Sequence, residues 1–243
     1  MGGYASGIGG LVSKIFFIPL IIHEQNTIPG TTNKLLSKFA KKSFQAFDNT
    51  FDNKVNATTT GNPILFKPKS KNTPKLVQNL LVLGGSLGAR RINETVAKIK
   101  TPLNIWHQTG AKHIEDVKVM YAKDVHPSLK IEDFIEDMAE AYAWADIVIC
   151  RSGAMTVSEL IATNTLAILV PFPYAVDNHQ TMNAQYLSKN GAGILIEESI
   201  FNAELIDKEI LSLNSEKLQE MTKNLELLSV PNPEMIIADY LFG

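Results

Sequence analysis

Residues 80–91 read LLVLGGSLGARR, an apolar strand followed by a glycine-rich turn and the start of a polar helix. Residues 147–159 read IVICRSGAMTVSE and repeat that order. Each turn directs free backbone N–H groups, a serine hydroxyl and the positive end of a helix at one place, which suits an anion such as a diphosphate. Two such turns in one α/β unit predict a nucleotide diphosphate at the carboxyl edge of a parallel sheet.

Strands and helices alternate beyond residue 78, and this pattern predicts a doubly wound parallel sheet. The predicted strands cover 79–83, 103–108, 129–132, 147–150, 167–170 and 193–196. The predicted helices cover 89–99, 113–122, 138–144, 156–163, 180–190, 203–213, 215–228 and 234–241. The earlier part of the chain offers less: a glycine loop over 2–10, strands over 19–23 and 43–47, and a helix over 32–42.

A linker rich in proline and lysine begins at residue 63 and divides the chain. We predict an incomplete amino-terminal domain over 1–62, a nucleotide-binding domain over 63–229, and a terminal helix over 230–243 that packs back on the first domain. The first domain has few elements for a core of its own, and no strand precedes its glycine loop. We therefore expect that an amino-terminal piece is missing.

Composition is that of an ordinary soluble protein, with 45% apolar and 20% charged residues among 243. The single cysteine, Cys150, excludes an internal disulfide and is predicted to be a buried spectator. Residues 1–62 carry six lysines against three acids, a net charge of +3, and the remainder carries 17 basic and 22 acidic residues, a net charge of −5. The basic part indicates either an anionic membrane surface or lysines on a solvated helix.

The apolar segment 8–22 is too short to cross a bilayer and contains Lys14 and Pro19. Two interpretations of this segment remain: it forms a buried helix followed by a strand, or it lies on a membrane surface. The turn at 84–89 is neither G-x-G-x-x-G nor a P-loop, and position 104 is asparagine where a dinucleotide fold has an acid. The five histidines have no metal-ligand spacing. These patterns favour a nucleotide-diphosphate site without kinase or dehydrogenase machinery, and we expect no metal, cofactor or nucleic acid.

Six motifs occur in order: GGYASG at 2–7, HEQN at 23–26, GNP at 61–63, GGS at 84–86, CRSGA at 150–154 and DNHQ at 177–180. Together they resemble the MurG family of bacterial N-acetylglucosaminyltransferases along nearly the whole chain. The resemblance implies two Rossmann-like domains of the GT-B type, the first incomplete here, around an active site that needs no metal. The family's first glycine loop, GGTGGH, is absent, and its arginine after GNP is Leu65 here.

The resemblance also implies an activity, partners and a location. The family transfers N-acetylglucosamine from UDP-N-acetylglucosamine to the undecaprenyl-linked muramyl-pentapeptide in peptidoglycan synthesis, and so serves cell-wall growth and division. It implies a peripheral protein on the cytoplasmic face of the inner membrane, at an anionic membrane surface. Two alternatives remain: a truncated, inactive fragment that binds UDP-sugars, and a sugar-nucleotide epimerase of related fold.

Residue types suggest roles that the resemblance makes specific. Ser86 suits a helix cap or a phosphate contact, and the family uses the matching serine for the donor diphosphate. Glu159 has two oxygens that match a vicinal diol, and the family uses it for the ribose. The resemblance implies that Ile135 reads uracil through its backbone. The resemblance also implies contacts to the sugar of UDP-N-acetylglucosamine from Asn26, His179 and Gln180. It implies further contacts to this substrate from the first residues of the second predicted helix start, which are Ala154, Met155, Thr156, Val157 and Ser158.

An inverting transfer needs a base that deprotonates the acceptor hydroxyl. His23 and Glu24 stand directly after an apolar strand and are the candidates. A purely structural role for His23, in a hydrogen-bond network, is an equally good interpretation. The resemblance places the glycine loop at 2–10 near the acceptor diphosphate.

Overall fold

The computed structural model describes residues 4–85, 88–121 and 125–243. It contains two parallel sheets. The smaller sheet has the order β1-β2-β3, with strands β1 (Ile21–Glu24), β2 (Lys42–Gln45) and β3 (Thr58–Thr59). The larger sheet is built from β4 (Asn79–Leu83), β5 (Asn104–Gln108), β6 (Ser128–Glu132), β7 (Ile147–Cys150), β8 (Leu166–Leu169) and β9 (Ile194–Leu195).

The larger sheet has the strand order β6-β5-β4-β7-β8-β9. Numbered within the sheet, this is 3-2-1-4-5-6, the order of the dinucleotide-binding fold. The connections run in opposite directions on either side of β4 and β7, so the crevice where such folds bind ligands opens at the carboxyl ends of these two strands. The central strands are buried on both faces, which explains the uninterrupted apolar runs from which they were predicted. The prediction of a doubly wound sheet is confirmed.

Helices cover the larger sheet and flank the smaller one. They are α1 (Tyr4–Ile15), α2 (Thr31–Leu36), α3 (Arg90–Val96), α4 (Ile114–Met120), α5 (Met138–Trp144), α6 (Ala154–Ala162), α7 (His179–Lys189), α8 (Ala203–Leu211), α9 (Ser215–Leu227) and α10 (Pro233–Phe242). Within the described ranges no helix has the length and apolar character to cross a membrane.

The prediction of a glycine loop over 2–10 is wrong for its described part, because Tyr4–Gly10 form the first half of α1. Gly2 and Gly3 lie outside the described residues. A side chain at Gly10 would meet Leu36 Cδ2 at 2.5 Å, so this glycine allows α1 to approach α2 closely. The alternative of a buried helix is also wrong, since Ile15 at the end of α1 is 68% exposed.

The helix predicted over 32–42 is shorter than expected. α2 ends at Leu36, and β2 already begins at Lys42. At the other end of the chain, the ring of Tyr240 in α10 contacts Phe44 of β2 edge to face, with 5.5 Å between centroids. The terminal helix thus touches the smaller sheet, while the predicted domain boundaries remain predictions.

Candidate functional site

The two glycine-rich turns lie side by side. Leu83 at the end of β4 pairs with Cys150 at the end of β7, so both turns leave the same edge of the sheet from neighbouring strands. Gly85 has a φ of +73°, which a glycine adopts without strain. Ser86, predicted to contact the diphosphate, and Leu87 lie outside the described residues.

An open cleft of about 520 Å³ lies at this edge. Three arginines and two glutamates give it charge of both signs. It is lined by Gly84, Gly88, Ala89, Arg90, Arg91, Glu94, Arg151, Phe172, Gln180 and Glu198. The cleft is large enough for a nucleotide-sized ligand.

Helix α6 begins at the second turn with an open amino end. Gly153 precedes it without a side-chain cap. Among the described residues, no partner accepts from the N–H groups of Ala154, Met155 or Thr156, whereas the N–H of Val157 donates to the Gly153 carbonyl at 2.9 Å. Three free donors and a positive helix end therefore lie at the second turn, close in sequence to Arg151 of the cleft lining.

The structure buries the side chains of two predicted ligand residues of this turn, and their role in binding stays a prediction. The side chain of Val157 is fully buried in the core. Ser158 is also buried, and its hydroxyl donates to the Ala154 carbonyl at 2.9 Å and accepts from Asn62 Nδ2 at 2.8 Å. These bonds use the hydrogen and one lone pair of the Ser158 hydroxyl.

Glu159 lies in the second turn of α6 and is partly buried. Burial raises the pKa of its carboxyl, and a hydrogen bond from the Tyr142 hydroxyl to Oε2, at 2.8 Å, opposes that shift. The other oxygen, Oε1, accepts no hydrogen bond from a described residue. A carboxylate held in this way retains acceptor positions for hydroxyl groups of a ligand.

The remaining predicted donor-site residues stand along the same edge. Ile135 follows β6, two strands away from β4, and its side chain is buried. Its main-chain N–H and C=O have no hydrogen-bond partner among the described residues. Gln180 Oε1 accepts from the N–H of Phe172 at 2.9 Å, and His179 Nε2 stands 3.8 Å from Asp177 Oδ2.

The loop after β1 is organised by Glu24. This buried carboxylate accepts from the backbone N–H groups of Asn26 and Gly30 at 3.0 and 3.1 Å, and from Asn33 Nδ2 at 2.7 Å. Asn26 Nδ2 adds a longer bond of 3.3 Å. With its lone pairs occupied, Glu24 fixes the loop, and this geometry disfavours its predicted role as a base.

His23 is held by the end of the smaller sheet. Its Nε2 lies 3.0 Å from the Gly61 carbonyl and 3.2 Å from Thr60 Oγ1. A carbonyl only accepts, so Nε2 carries the hydrogen and Nδ1 keeps its lone pair. Burial lowers the pKa of His23, which favours the neutral ring.

Two asparagines connect the smaller sheet to the larger one, and an arginine fixes the second turn to the loop after β8; none of the three was assigned a role from the sequence. Asn183 of α7 accepts from the N–H and hydroxyl of Thr27 at 3.0 and 2.9 Å and donates to the Ser152 carbonyl at 3.1 Å. Asn62 bonds the Gln25 carbonyl at 3.0 Å as well as Ser158. Arg151 donates to two carbonyls after β8 and pairs with Glu198. Arg151 and Asn62 gave a signal as members of the CRSGA and GNP motifs, whereas Asn183 lies in none of the six motifs.

A buried polar chain supports the first turn from behind. Asn93 Nδ2 donates to the Thr109 carbonyl at 3.0 Å, so its Oδ1 accepts from His107 Nε2, also at 3.0 Å. His107 Nδ1 then accepts from the Tyr121 hydroxyl at 2.7 Å. A side chain at Gly84 would meet Asn93 Oδ1 at 3.0 Å, so this chain packs directly against the turn.

Burial lowers the pKa of His107 to about 3, far below its usual value. The unfolded chain takes up this proton near pH 6.5, so stability should fall as pH drops from about 6.5 towards 3, by up to ~1.4 kcal/mol per pH unit for this group. We expect His107→Gln to be less stable at pH 7 but to show a flatter dependence. Urea midpoints from pH 7 to 4 measure both slopes, and equal slopes would contradict the assignment.

No group of three or more His, Cys, Asp or Glu side chains with metal-site geometry occurs in the described part of the chain.

Comparison with known proteins connects this geometry to a family. The model of the glycosyltransferase family 28 C-terminal domain matches residues 79–233, and that of the N-terminal domain matches 1–45. The protein named UDP-N-acetylglucosamine–N-acetylmuramyl-(pentapeptide) pyrophosphoryl-undecaprenol N-acetylglucosamine transferase in Vesicomyosocius okutanii is 52% identical over 242 residues, 99% of this chain and 69% of that protein. The chain belongs to the MurG family of glycosyltransferases.

Two further MurG-family proteins support this assignment. A relative of the same name from Methylococcus capsulatus is 44% identical over 94% of this chain and 65% of its own length. The crystal structure of Acinetobacter baumannii MurG superposes with a TM-score of 0.87 at 37% identity, and covers 99% of this chain and 72% of that one. The chain thus spans about two thirds of the length of these relatives, and the family resemblance predicted from six motifs is confirmed.

Proposed function

We propose that this chain is an inverting glycosyltransferase that moves N-acetylglucosamine from UDP-N-acetylglucosamine to undecaprenyl-linked muramyl-pentapeptide. The observation that carries the proposal is the identity of 52% over nearly the whole chain with a relative named for that reaction. The site supports it independently, because two turns meet at the switch point of the larger sheet, where nucleotides bind in such folds.

In this proposal the donor lies along the carboxyl edge. The free N–H groups of Ala154, Met155 and Thr156 bind the diphosphate together with Ser86, and Glu159 accepts from the ribose hydroxyls. The unpaired main chain of Ile135 reads uracil. Strands are spaced by about 4.8 Å, so Ile135 stands roughly 10 Å along the edge from β4, a suitable distance between a diphosphate and its base.

In this proposal three of the predicted residues bind the sugar of the donor. His179 and Gln180 begin α7 beside the cleft. Asn26 reaches the same region from the smaller sheet, since its Oδ1 lies 3.3 Å from Asn183 Nδ2 in α7. Both sheets therefore contribute to the proposed sugar site, as a transfer between two bound substrates requires.

We propose His23 rather than Glu24 as the base, because the neutral His23 ring keeps a lone pair on Nδ1. Abstraction of the acceptor proton by Nδ1 would make the ring a cation, which the Gly61 carbonyl at Nε2 stabilises.

We propose an anionic membrane surface as the partner of the amino-terminal part. Apolar side chains at the end of α1 are exposed, with Phe17 at 93% and Phe16 at 68%. Lys14 and Lys41 line the adjoining cleft. An apolar patch beside basic side chains is typical of peripheral membrane binding. The finer assignment, to the cytoplasmic face of the inner membrane with roles in cell shape and division, rests on the family alone.

A transfer assay tests the proposed activity. The chain is incubated with radiolabelled UDP-N-acetylglucosamine and the lipid-linked acceptor in phosphatidylglycerol vesicles. We expect label in the lipid phase, and less of it with His23→Ala. Donor binding without transfer would favour the alternative of a UDP-sugar-binding fragment, and absence of donor binding would contradict both.

A further inference from the structure

The carboxylate of Glu159 is held by one hydrogen bond from a buried side chain. It is partly buried, and burial raises its pKa because water no longer stabilises the charge. The Tyr142 hydroxyl donates to Oε2 at 2.8 Å and counters this effect. A carboxylate has about four lone-pair positions, so one bond from a phenol leaves enough for a vicinal diol. The bond also fixes the plane in which the two oxygens lie.

Tyr142 is itself held from several sides. Its ring is fully buried and stacks on Phe66, with 6.0 Å between centroids and 22° between planes. Its carbonyl accepts from Lys71 Nζ at 3.2 Å, and the same ammonium bonds Ala145 and Thr165. Burial lowers the pKa of Lys71 to about 8, so the group is still largely charged at pH 7. Phe66 and Lys71 come from the segment between the two sheets, which therefore fixes Tyr142.

We propose that Tyr142 is a positioning residue for nucleoside recognition: its hydroxyl orients Glu159 so that the carboxylate accepts from the two ribose hydroxyls. This inference rests on the proposed function, in which Glu159 faces the ribose. Tyr142 does not touch the ligand. Its contribution appears as discrimination between ribose and deoxyribose, because only the ribose presents both hydroxyls to the oriented carboxylate.

Calorimetry with UDP and 2′-deoxy-UDP tests this role. Tyr142→Phe removes the hydroxyl and keeps the ring that stacks on Phe66. We expect the wild-type chain to bind UDP more tightly than 2′-deoxy-UDP. In Tyr142→Phe, UDP affinity should fall about 5- to 10-fold while 2′-deoxy-UDP affinity changes less than 2-fold, so that the preference nearly disappears.

Tyr121→Phe is the matched control. It also removes a buried phenol hydroxyl, but one that donates to His107 and makes no hydrogen bond to Glu159. It should change both affinities by one common factor and leave their ratio at the wild-type value.

Two outcomes count against the hypotheses. An unchanged preference in Tyr142→Phe overturns the inference, and where the affinities for both ligands fall by the same factor the role of Tyr142 is purely structural. Failure of the wild-type chain to prefer UDP refutes the ribose assignment of Glu159, and with it the proposed donor site, whatever Tyr142 does.

Discussion

Glu159→Ala is expected to weaken binding of UDP by about 1–3 kcal/mol, or about 5- to 150-fold in the dissociation constant. The substitution removes two acceptor oxygens from a partly buried position and leaves the ribose hydroxyls of the proposed complex without this acceptor. It also leaves the Tyr142 hydroxyl without its acceptor. Isothermal titration calorimetry with UDP at pH 7.5 measures the loss directly.

Glu94→Ala is the control for charge. Glu94 lines the same cleft and pairs with Arg90 at 2.6 Å. Its removal takes a negative charge away from the site of an anion, so UDP affinity should stay the same or increase. If Glu159→Ala also left the affinity unchanged, or increased it, the ribose assignment would be wrong, because loss of charge alone would explain the result.

Gly110→Ala is expected to disrupt the first turn. Gly110 follows β5 with a φ of +79°, and a side chain there would stand 2.6 Å from the backbone N of Gly88. The left-handed conformation costs about 1–2 kcal/mol for alanine, and the overlap with backbone must push the turn away. We expect a lower melting temperature and at least a 10-fold loss of UDP affinity, measured by thermal denaturation and calorimetry.

Gly85→Ala separates the two causes of this loss of stability. Gly85 also has a positive φ, of +73°, but a side chain there meets no atom of the described residues within 4 Å. The melting temperature of Gly85→Ala should therefore fall only by the effect of placing alanine in a left-handed conformation. Equal falls for the two variants would show that the contact between Gly110 and Gly88 does not matter.

The larger sheet was predictable because its signals are local. The strand over 147–150 and the helix over 138–144 match the structure residue for residue, since apolar runs and caps decide them. The amino-terminal helix was mistaken for a loop, because glycines indicate flexible turns as readily as close helix packing. What distinguishes the two is Leu36, which packs against Gly10 from a distant part of the chain.

In the candidate site, too, the features set by adjacent residues were predictable and the contacts between distant residues were not. Both turns follow from adjacent residues, and the pairing of β4 with β7 brings them together. The partners of the predicted residues are remote in sequence: Tyr142 lies 17 residues before Glu159, and Asn183 lies 156 residues after Thr27. The family resemblance implied Val157 and Ser158 as ligand residues, and the sequence did not reveal that their side chains lie on the buried side of α6.

Asn183 sets a limit on how the molecule can open. Its amide group holds the loop after β1 with its oxygen and the Ser152 carbonyl with its nitrogen. Each bond contributes about 0.5–1.5 kcal/mol net, and all of them must break together when the smaller sheet swings away from the larger one. A separation of the two sheets at this point would therefore be cooperative, because one amide group joins the loop after β1 to the second turn.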